Sequence, residues 1–282
     1  MSSNQIIRSA FSISLIMLII CLGREKSYGG GWPVRRGSFT ISPSFTFFYA
    51  NQSWDKDGKL TDYPTGSHFE SKSIYLYGEY GLSRRVTLVG SLPYVFNTFV
   101  QPGVATATNG FTDAEIGARY YLTNINFRHY FAVQATGIIP MYANTAVRTV
   151  GFQSYGADVK LIASGSVKVF SMNSYFNIEA GVRQYVDATG PFQYKYAASY
   201  GLTLSKHHQI SLAASGVKSS SLNKDFSRYL VANKNFEYIQ ASFNYVFIVT
   251  NKLAFSIGAN RFLTGKNTGK GTSAFFSSVI RF

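Results

Sequence analysis

Four histidines and a few acids are the side chains here that could activate a hydroxyl or a water. His68 stands in Ser67-His68-Phe69-Glu70-Ser71, where Ser67 or Glu70 could partner it. A lipid hydrolase needs that arrangement, an imidazole against a hydroxyl or carboxylate, so that a base can take up the proton. A loop histidine is far more often an exposed polar residue, and His129, His207 and His208 fall beside short turns at the opposite end. Asp55-Lys56-Asp57-Gly58, with Asp62 beyond, offers oxygen ligands to calcium, but the rest of the EF-hand spacing is missing and a solvated turn accounts for it. No phosphate-binding glycine loop and no zinc spacing occur, so neither enzyme, cofactor nor metal is expected. The larger set of charges is Glu79, Asp113, Glu115, Asp158 and Glu179 against Arg119, Lys160, Arg183, Lys195 and Arg281. Buried charges must be paired, and five acids facing five bases permit it.

Whether those ten residues meet depends on the elements that carry them. From Gly37 onward apolar residues recur every second position: Phe39, Ile41, Phe45, Phe47 and Tyr49 share one face, and Ser38, Thr40, Ser42, Ser44 and Thr46 the other. Ile116-Ala118-Tyr120-Leu122, Phe176-Ile178-Ala180-Val182 and Ile239-Ala241-Phe243-Tyr245-Phe247 repeat the scheme, and twelve such runs can be counted. Soluble strands average roughly 5–6 residues; these runs approach the roughly 9–11 that cross a bilayer. Short turns are read near Ser83-Arg84, Asn124–Asn126, Gly165–Lys168, Lys206–His208 and Asn251-Lys252. Longer polar segments are read over 51–66, 101–110, 219–235 and 264–271. Short turns at one end and long loops at the other are the pattern of outer-membrane barrels. Pro43, Pro93 and Pro140 fall inside strands and should each mark a bulge or a rim position.

Composition agrees. The chain is 16% aromatic and only 14% charged, against about 25% charged in soluble domains. Yet its one long apolar run, Ala10 to Gly23, is too short for a helical span. After the basic Arg8 it reads as a signal-peptide core, with cleavage after Gly29 and the barrel over 30–282. Cys21 follows Ile20, where a lipidation signal carries a small residue, so it is read as part of the leader. Removing residues 1–29 lowers the formal charge of +14 by two, to +12. The cations are scattered between apolar strands, which speaks for lipid and lipopolysaccharide phosphates as counter-charge and against nucleic acid. The ending Ala274-Phe275-Phe276-Ser277-Ser278-Val279-Ile280-Arg281-Phe282 looks like the terminal-strand signal read by the barrel-insertion machinery, with Phe282 as its last residue.

Gly29-Gly30-Gly31-Trp32-Pro33, Tyr77-Gly78-Glu79-Tyr80-Gly81-Leu82, Leu92-Pro93-Tyr94 and Gly110-Phe111-Thr112-Asp113-Ala114-Glu115-Ile116-Gly117-Ala118-Arg119-Tyr120 together resemble the phenol-degradation meta-pathway family of outer-membrane proteins. The likeness is specific over residues 30 to 140. It implies an outer-membrane barrel for hydrophobic-solute uptake, and gives Asp113 and Gly117 a structural role. The expectation is an all-β, up-and-down antiparallel barrel of about twelve strands in the bacterial outer membrane. Its expected function is that of a passive channel for a small, unidentified solute, hydrophobic in the family reading. The alternatives are a sealed structural or adhesion barrel and an outer-leaflet hydrolase. Small barrels fill with their own side chains, so ion pairs filling the interior are the expectation against which a charge-selective pore must be argued.

Overall fold

A computed structural model describes residues 31–142, 150–169, 172–188, 190–222 and 233–282. The expected leader, its cleavage site, Cys21 and most of the segment 219–235 lie outside the described residues. The strands are β1 (Phe39–Trp54), β2 (Leu60–Asp62), β3 (His68–Gly81), β4 (Val86–Gln101), β5 (Val104–Phe111), β6 (Asp113–Ile125), β7 (His129–Pro140), β8 (Gly156–Val169), β9 (Met172–Tyr185), β10 (Phe192–Thr203), β11 (His208–Ser220), β12 (Phe236–Thr250), β13 (Leu253–Lys266) and β14 (Thr268–Arg281).

Apart from the short β2 and β5, each strand pairs antiparallel with the next along the chain, and β14 returns to β1 from Thr40↔Arg281 to Trp54↔Thr268. At that seam the Phe282 N–H donates to the Phe39 carbonyl at 2.9 Å and the Phe39 N–H donates to the Phe282 carbonyl at 3.3 Å. β2 is a three-residue arm folded back on β1. β5 and β6 share β4 as partner and form one interrupted stave. Twelve staves therefore close the ring.

The interruption decides which side chains enter the interior. Pairing runs from Gln101↔Val104 to Tyr94↔Phe111, then resumes at Ser91↔Glu115. Thr112 is the extra residue, and its N–H donates to the Pro93 carbonyl at 3.0 Å. A one-residue slip exchanges the two faces of a strand. Phe111 thus stays outside against Tyr94, ring centroids 5.0 Å apart, while Asp113, Glu115 and Arg119 turn inward. Pro93 sits at this bulge and Pro140 ends β7, as prolines in a closed sheet should. Pro43 differs. It pairs in register with Leu76, and only the ladder toward β14 skips it.

Faces follow the sequence pattern and are inverted relative to a soluble protein. Ile116, Leu212 and Ile257 are 63%, 65% and 60% exposed, whereas inward Arg119 and Asp158 are each 4% exposed. An apolar exterior around a polar interior is the arrangement of a barrel whose solvent is hydrocarbon. No helix among the described residues is long and apolar enough to cross a membrane. The staves run to 12–16 residues, enough to span and emerge.

Three expected boundaries are corrected. The turn read at Gly165–Lys168 lies within β8, which pairs on to Val169↔Met172. Gly165 belongs to a strand because the Phe176 ring lies where its Cβ would be. The segments 101–110 and 264–271 are not loops but the hairpins β4–β5 and β13–β14, turning at Gly103 and Asn267 in left-handed backbone. Polar composition suggested loops, but strand ends beyond the hydrocarbon are wetted on both faces and need no apolar alternation.

A charge on the outer face removes this fit. Leu212→Arg should destabilise the folded barrel by about 2–4 kcal/mol if it lies near the bilayer midplane, while inward Ser215→Arg should fold normally. Heat-modifiable gel mobility after refolding into detergent and lipid would distinguish them.

Candidate pore and its two vestibules

The interior is built in tiers. At the end that carries the seam, residues 31–36 fold into the barrel as a strap. The Gly31 N–H donates to Ser164 Oγ on β8 at 3.1 Å and to Asn177 Oδ1 on β9 at 3.3 Å. The Tyr121 hydroxyl on β6 donates to the Trp32 carbonyl at 2.5 Å. The Trp32 ring meets Tyr130 edge-on at 5.2 Å, beside a small buried cluster of Tyr121, Ala132 and Ile162. The strap's backbone at Arg35 lies where a Cβ on Gly81 would be, and Gly31 is as tightly enclosed by Ile162 and Ser164. Both glycines answer a close backbone approach.

Above the strap runs a spine of charges. Glu79 on β3 pairs with Arg119 on β6 at 2.9 Å, and the Arg119 Nε donates to Gln134 Oε1 at 3.1 Å. Tyr77 joins them, its hydroxyl donating to Glu79 at 2.7 Å and accepting from Arg119 at 3.1 Å. Lys160 and Glu179 pair at 2.6 Å. Asp158 receives both Arg183 and Lys195, each at 3.0 Å, and Arg183 reaches on to Glu115 on β6. Highest, Asp113 accepts from Tyr142 at 3.0 Å and Tyr185 at 3.2 Å, and the Tyr142 hydroxyl accepts the Gln153 N–H at 2.6 Å.

All these charges lie on the contiguous wall from β3 to β10, and every pair runs along that wall. The register turns Ser211, Ala213 and Ser215 of β11, Ser242 and Asn244 of β12, Gly258 and Asn260 of β13, and Ser273 and Ser277 of β14 toward the interior. This second wall is neutral and, apart from Gln240 and Phe275, short. Ion pairing therefore draws the long charged side chains to one side of the ring.

Toward the outer end the neutral wall becomes aromatic. Tyr238 stacks on Phe262 at 4.6 Å and 13°, Phe262 lies 5.6 Å from Phe48, and Phe48 meets Phe69 at 6.1 Å. With Phe152, Phe236 and the carboxylates and guanidinium of Asp113, Glu115 and Arg183, these rings bound an outer vestibule of about 490 Å³. A smaller space of about 220 Å³ lies below, between Lys160, Glu179, Lys195, Ser215 and Tyr238. At the other end a vestibule of about 1010 Å³ opens between Asn126, Arg128, Thr203, Lys206, Gln209 and Thr250. Tyr238 borders both upper spaces.

The structure is similar to the crystal structure of an outer membrane channel from Pseudomonas putida F1, at 12% identity and a TM-score of 0.70, over 92% of this chain and 100% of that one. It is also similar to the β domain of a Bordetella autotransporter, at 10% identity and a TM-score of 0.52, over 86% of this chain and 99% of that one. The fold is that of an outer-membrane barrel. No family model and no curated relative matches the sequence. Likeness at this identity speaks for the fold, and one fold serves several functions, as a channel and an autotransporter domain illustrate.

Of the residues singled out in the sequence, Glu79, Asp113, Glu115, Arg119, Asp158, Lys160, Glu179, Arg183 and Lys195 face the interior and meet in the contacts above. Arg281 does not join them. It sits at the seam-end rim, where its guanidinium donates to the Asn251 carbonyl at 3.3 Å, because β14 ends there. His68 lies 3.4 Å from Glu70 and stacks on Tyr49 at 5.4 Å, but the buried Ser67 hydroxyl has no hydrogen-bond partner, so no serine–imidazole relay is formed. Asp55 caps its own turn, accepting from the backbone N–H groups of Asp57 and Lys59, each at 2.9 Å. The Lys59 N–H, helped by that of Asp57, holds its carboxyl below the usual carboxylate range.

Sequence reasoning missed the aromatic wall and the strap. The signal for the first lay in adjacent rings that break the alternation, Phe47-Phe48 and Phe275-Phe276, where one ring of each pair must point inward.

The charged side chains at the seam-end rim are of one sign. Arg84 and Arg85 lie between β3 and β4, Arg128 between β6 and β7, Lys168 at the end of β8, Lys206 between β10 and β11, Lys252 between β12 and β13, and Arg281 at the seam, with Arg35 and Arg36 in the strap. No Asp or Glu stands in any of these connections.

Breaking one half of the lower pair should reveal its burial. Glu79→Gln leaves the Arg119 guanidinium without its carboxylate and should cost about 3 kcal/mol; Glu79→Gln/Arg119→Gln should recover most of that. Urea unfolding of the refolded barrel measures the cycle.

Proposed function

We propose that this barrel is a passive pore for small solutes. One observation carries the reading: the interior ion pairs run along β3 to β10, and the opposite wall is neutral and, below its aromatic end, lined mostly with short side chains. Twelve staves stand between small barrels, whose side chains fill them, and the wide porins. In a ring of that size the position of the long side chains decides between pore and plug. Here they lie to one side.

The outer vestibule favours solutes with an apolar face. Its rings offer stacking surface, and its floor of Asp113, Glu115 and Arg183 offers hydrogen bonds. Binding sites of this kind combine apolar lining with a few fixed polar groups. The channel from Pseudomonas putida F1 has the same fold and is consistent with transport. So is the resemblance to the phenol-degradation meta-pathway proteins noted in the sequence.

The strap favours a restricted lower end over a free one, and it supplies the observation behind the sealed-barrel alternative. Trp32 and Tyr121 together close part of the interior there.

Two measurements test the proposal. In planar bilayers the intact protein should show discrete conductance steps, and replacing Trp32 by Ala should enlarge them; an intact barrel and a Trp32→Ala barrel that both pass no current would establish the sealed reading. Tyr238→Ala, which joins the two upper spaces, should also raise conductance and should weaken block by added aromatic solutes. Equal block of both proteins would remove the vestibule's role.

A further inference from the structure

The seam-end rim carries a collar of positive side chains, and among the described residues no Asp or Glu stands in its connections. Four of the short connections supply a cation and none of these an acid, Lys168 stands at the end of β8, and Arg281 stands at the seam. Among the described residues, Arg84, Arg85, Arg128, Lys168, Lys206 and Lys252 take part in no ion pair. Like charges around one ring repel, so the arrangement is unfavourable unless a counter-charge comes from outside.

Apolar side chains stand exposed beside these cations. Leu82 precedes Arg84, Leu204 precedes Lys206, and Phe127, 81% exposed, adjoins Arg128. Phe127 also holds a left-handed backbone with φ 55°, a conformation that costs a non-glycine residue about 1–2 kcal/mol. The turn needs that backbone: Asn126 shares it, and the Arg128 N–H donates to the Ile125 carbonyl at 3.0 Å. The Phe127 ring stays largely exposed beside Arg128 at the mouth of the seam-end vestibule. Cation and apolar side chain side by side at the edge of the hydrocarbon form the pattern of an interfacial anchor, with the apolar group among acyl chains and the charge at head-group level. The turns are short, so the collar cannot stand far beyond that level.

We propose that this collar binds anionic phospholipid head groups of the membrane leaflet facing the short turns, one phosphate-bearing lipid at each hairpin junction. The lipid phosphate supplies the negative charge that the rim lacks, and polybasic surfaces at a membrane gain from each such contact. Arg128 and Lys206 also border the seam-end vestibule, whereas Arg84, Arg85 and Lys252 do not, and lipid retention is read apart from conductance.

The full chain, refolded into vesicles of phosphatidylcholine with or without phosphatidylglycerol, provides the test. With phosphatidylglycerol the unfolding temperature should rise by several degrees, and high salt should reduce the rise. Native mass spectrometry should show retained phosphatidylglycerol. The variant Arg84→Gln/Arg85→Gln/Lys206→Gln/Lys252→Gln should fold in phosphatidylcholine like the parent but lose both the rise and the retained lipid. Lys56→Gln/Lys59→Gln at the opposite end should keep them. An equal rise in all three proteins, an equal loss in both variants, or no dependence on the anionic lipid would overturn the proposal. So would a rim variant that alters only the ion selectivity of the pore. A barrel without conductance but with the lipid effect would leave it standing while removing the pore.

Discussion

The structure depends on one constraint: in hydrocarbon, each backbone N–H and C=O must find its partner within the protein. A sheet can meet that demand only by having no edge. Here the seam between Phe39 and Phe282 removes the last edge. Side-chain alternation, placement of the prolines and the slip at Thr112 then follow as ways of keeping the ladder continuous while choosing which residues it turns inward. Pro43 shows the tolerance of the scheme, since the skipped positions toward β14 leave the register intact.

Once the ring is closed, electrostatics arranges its contents. Charges withdrawn from bulk water into the interior must pair with each other or remain solvated. Asp158 is served by two cations, and Arg183 spans β7 and β8 to reach Glu115. Tyr77 and Tyr185 add hydroxyls to the same networks. Such networks are strong when complete, and their completeness fixes the long side chains against their own wall. The free space of the interior is a consequence of the pairing.

Much of the barrel was legible in the sequence because hydrocarbon imposes a strict period of two. Faces such as Phe39-Ile41-Phe45 and Ile116-Ala118-Tyr120 could be assigned without coordinates. The nine mid-lumen charges could be placed inside for the same reason. Where the chain leaves the membrane that period loses its force, so the hairpins at Gly103 and Asn267 read as loops. Gly165 read as a turn because the sequence does not reveal that the Phe176 ring takes its place. Contacts between distant segments left no periodic trace. Nothing in Gly31-Trp32 announces Ser164 and Asn177 as partners, and the stack of Tyr238 on Phe262 depends on a register shift in the β12–β13 ladder near Ile239 and Gln240.

The uneven division of the interior has a directional effect. Charges along one side and neutral groups along the other set up a field perpendicular to the barrel axis, and a dipolar molecule between the two sides is turned by it. In the proposed pore its polar edge would rest toward Asp113, Glu115 and Arg183, and its flat side toward Phe262 and Tyr238. Passage through such a space would begin with alignment, so shape and dipole together, rather than size alone, would determine which molecules traverse it readily.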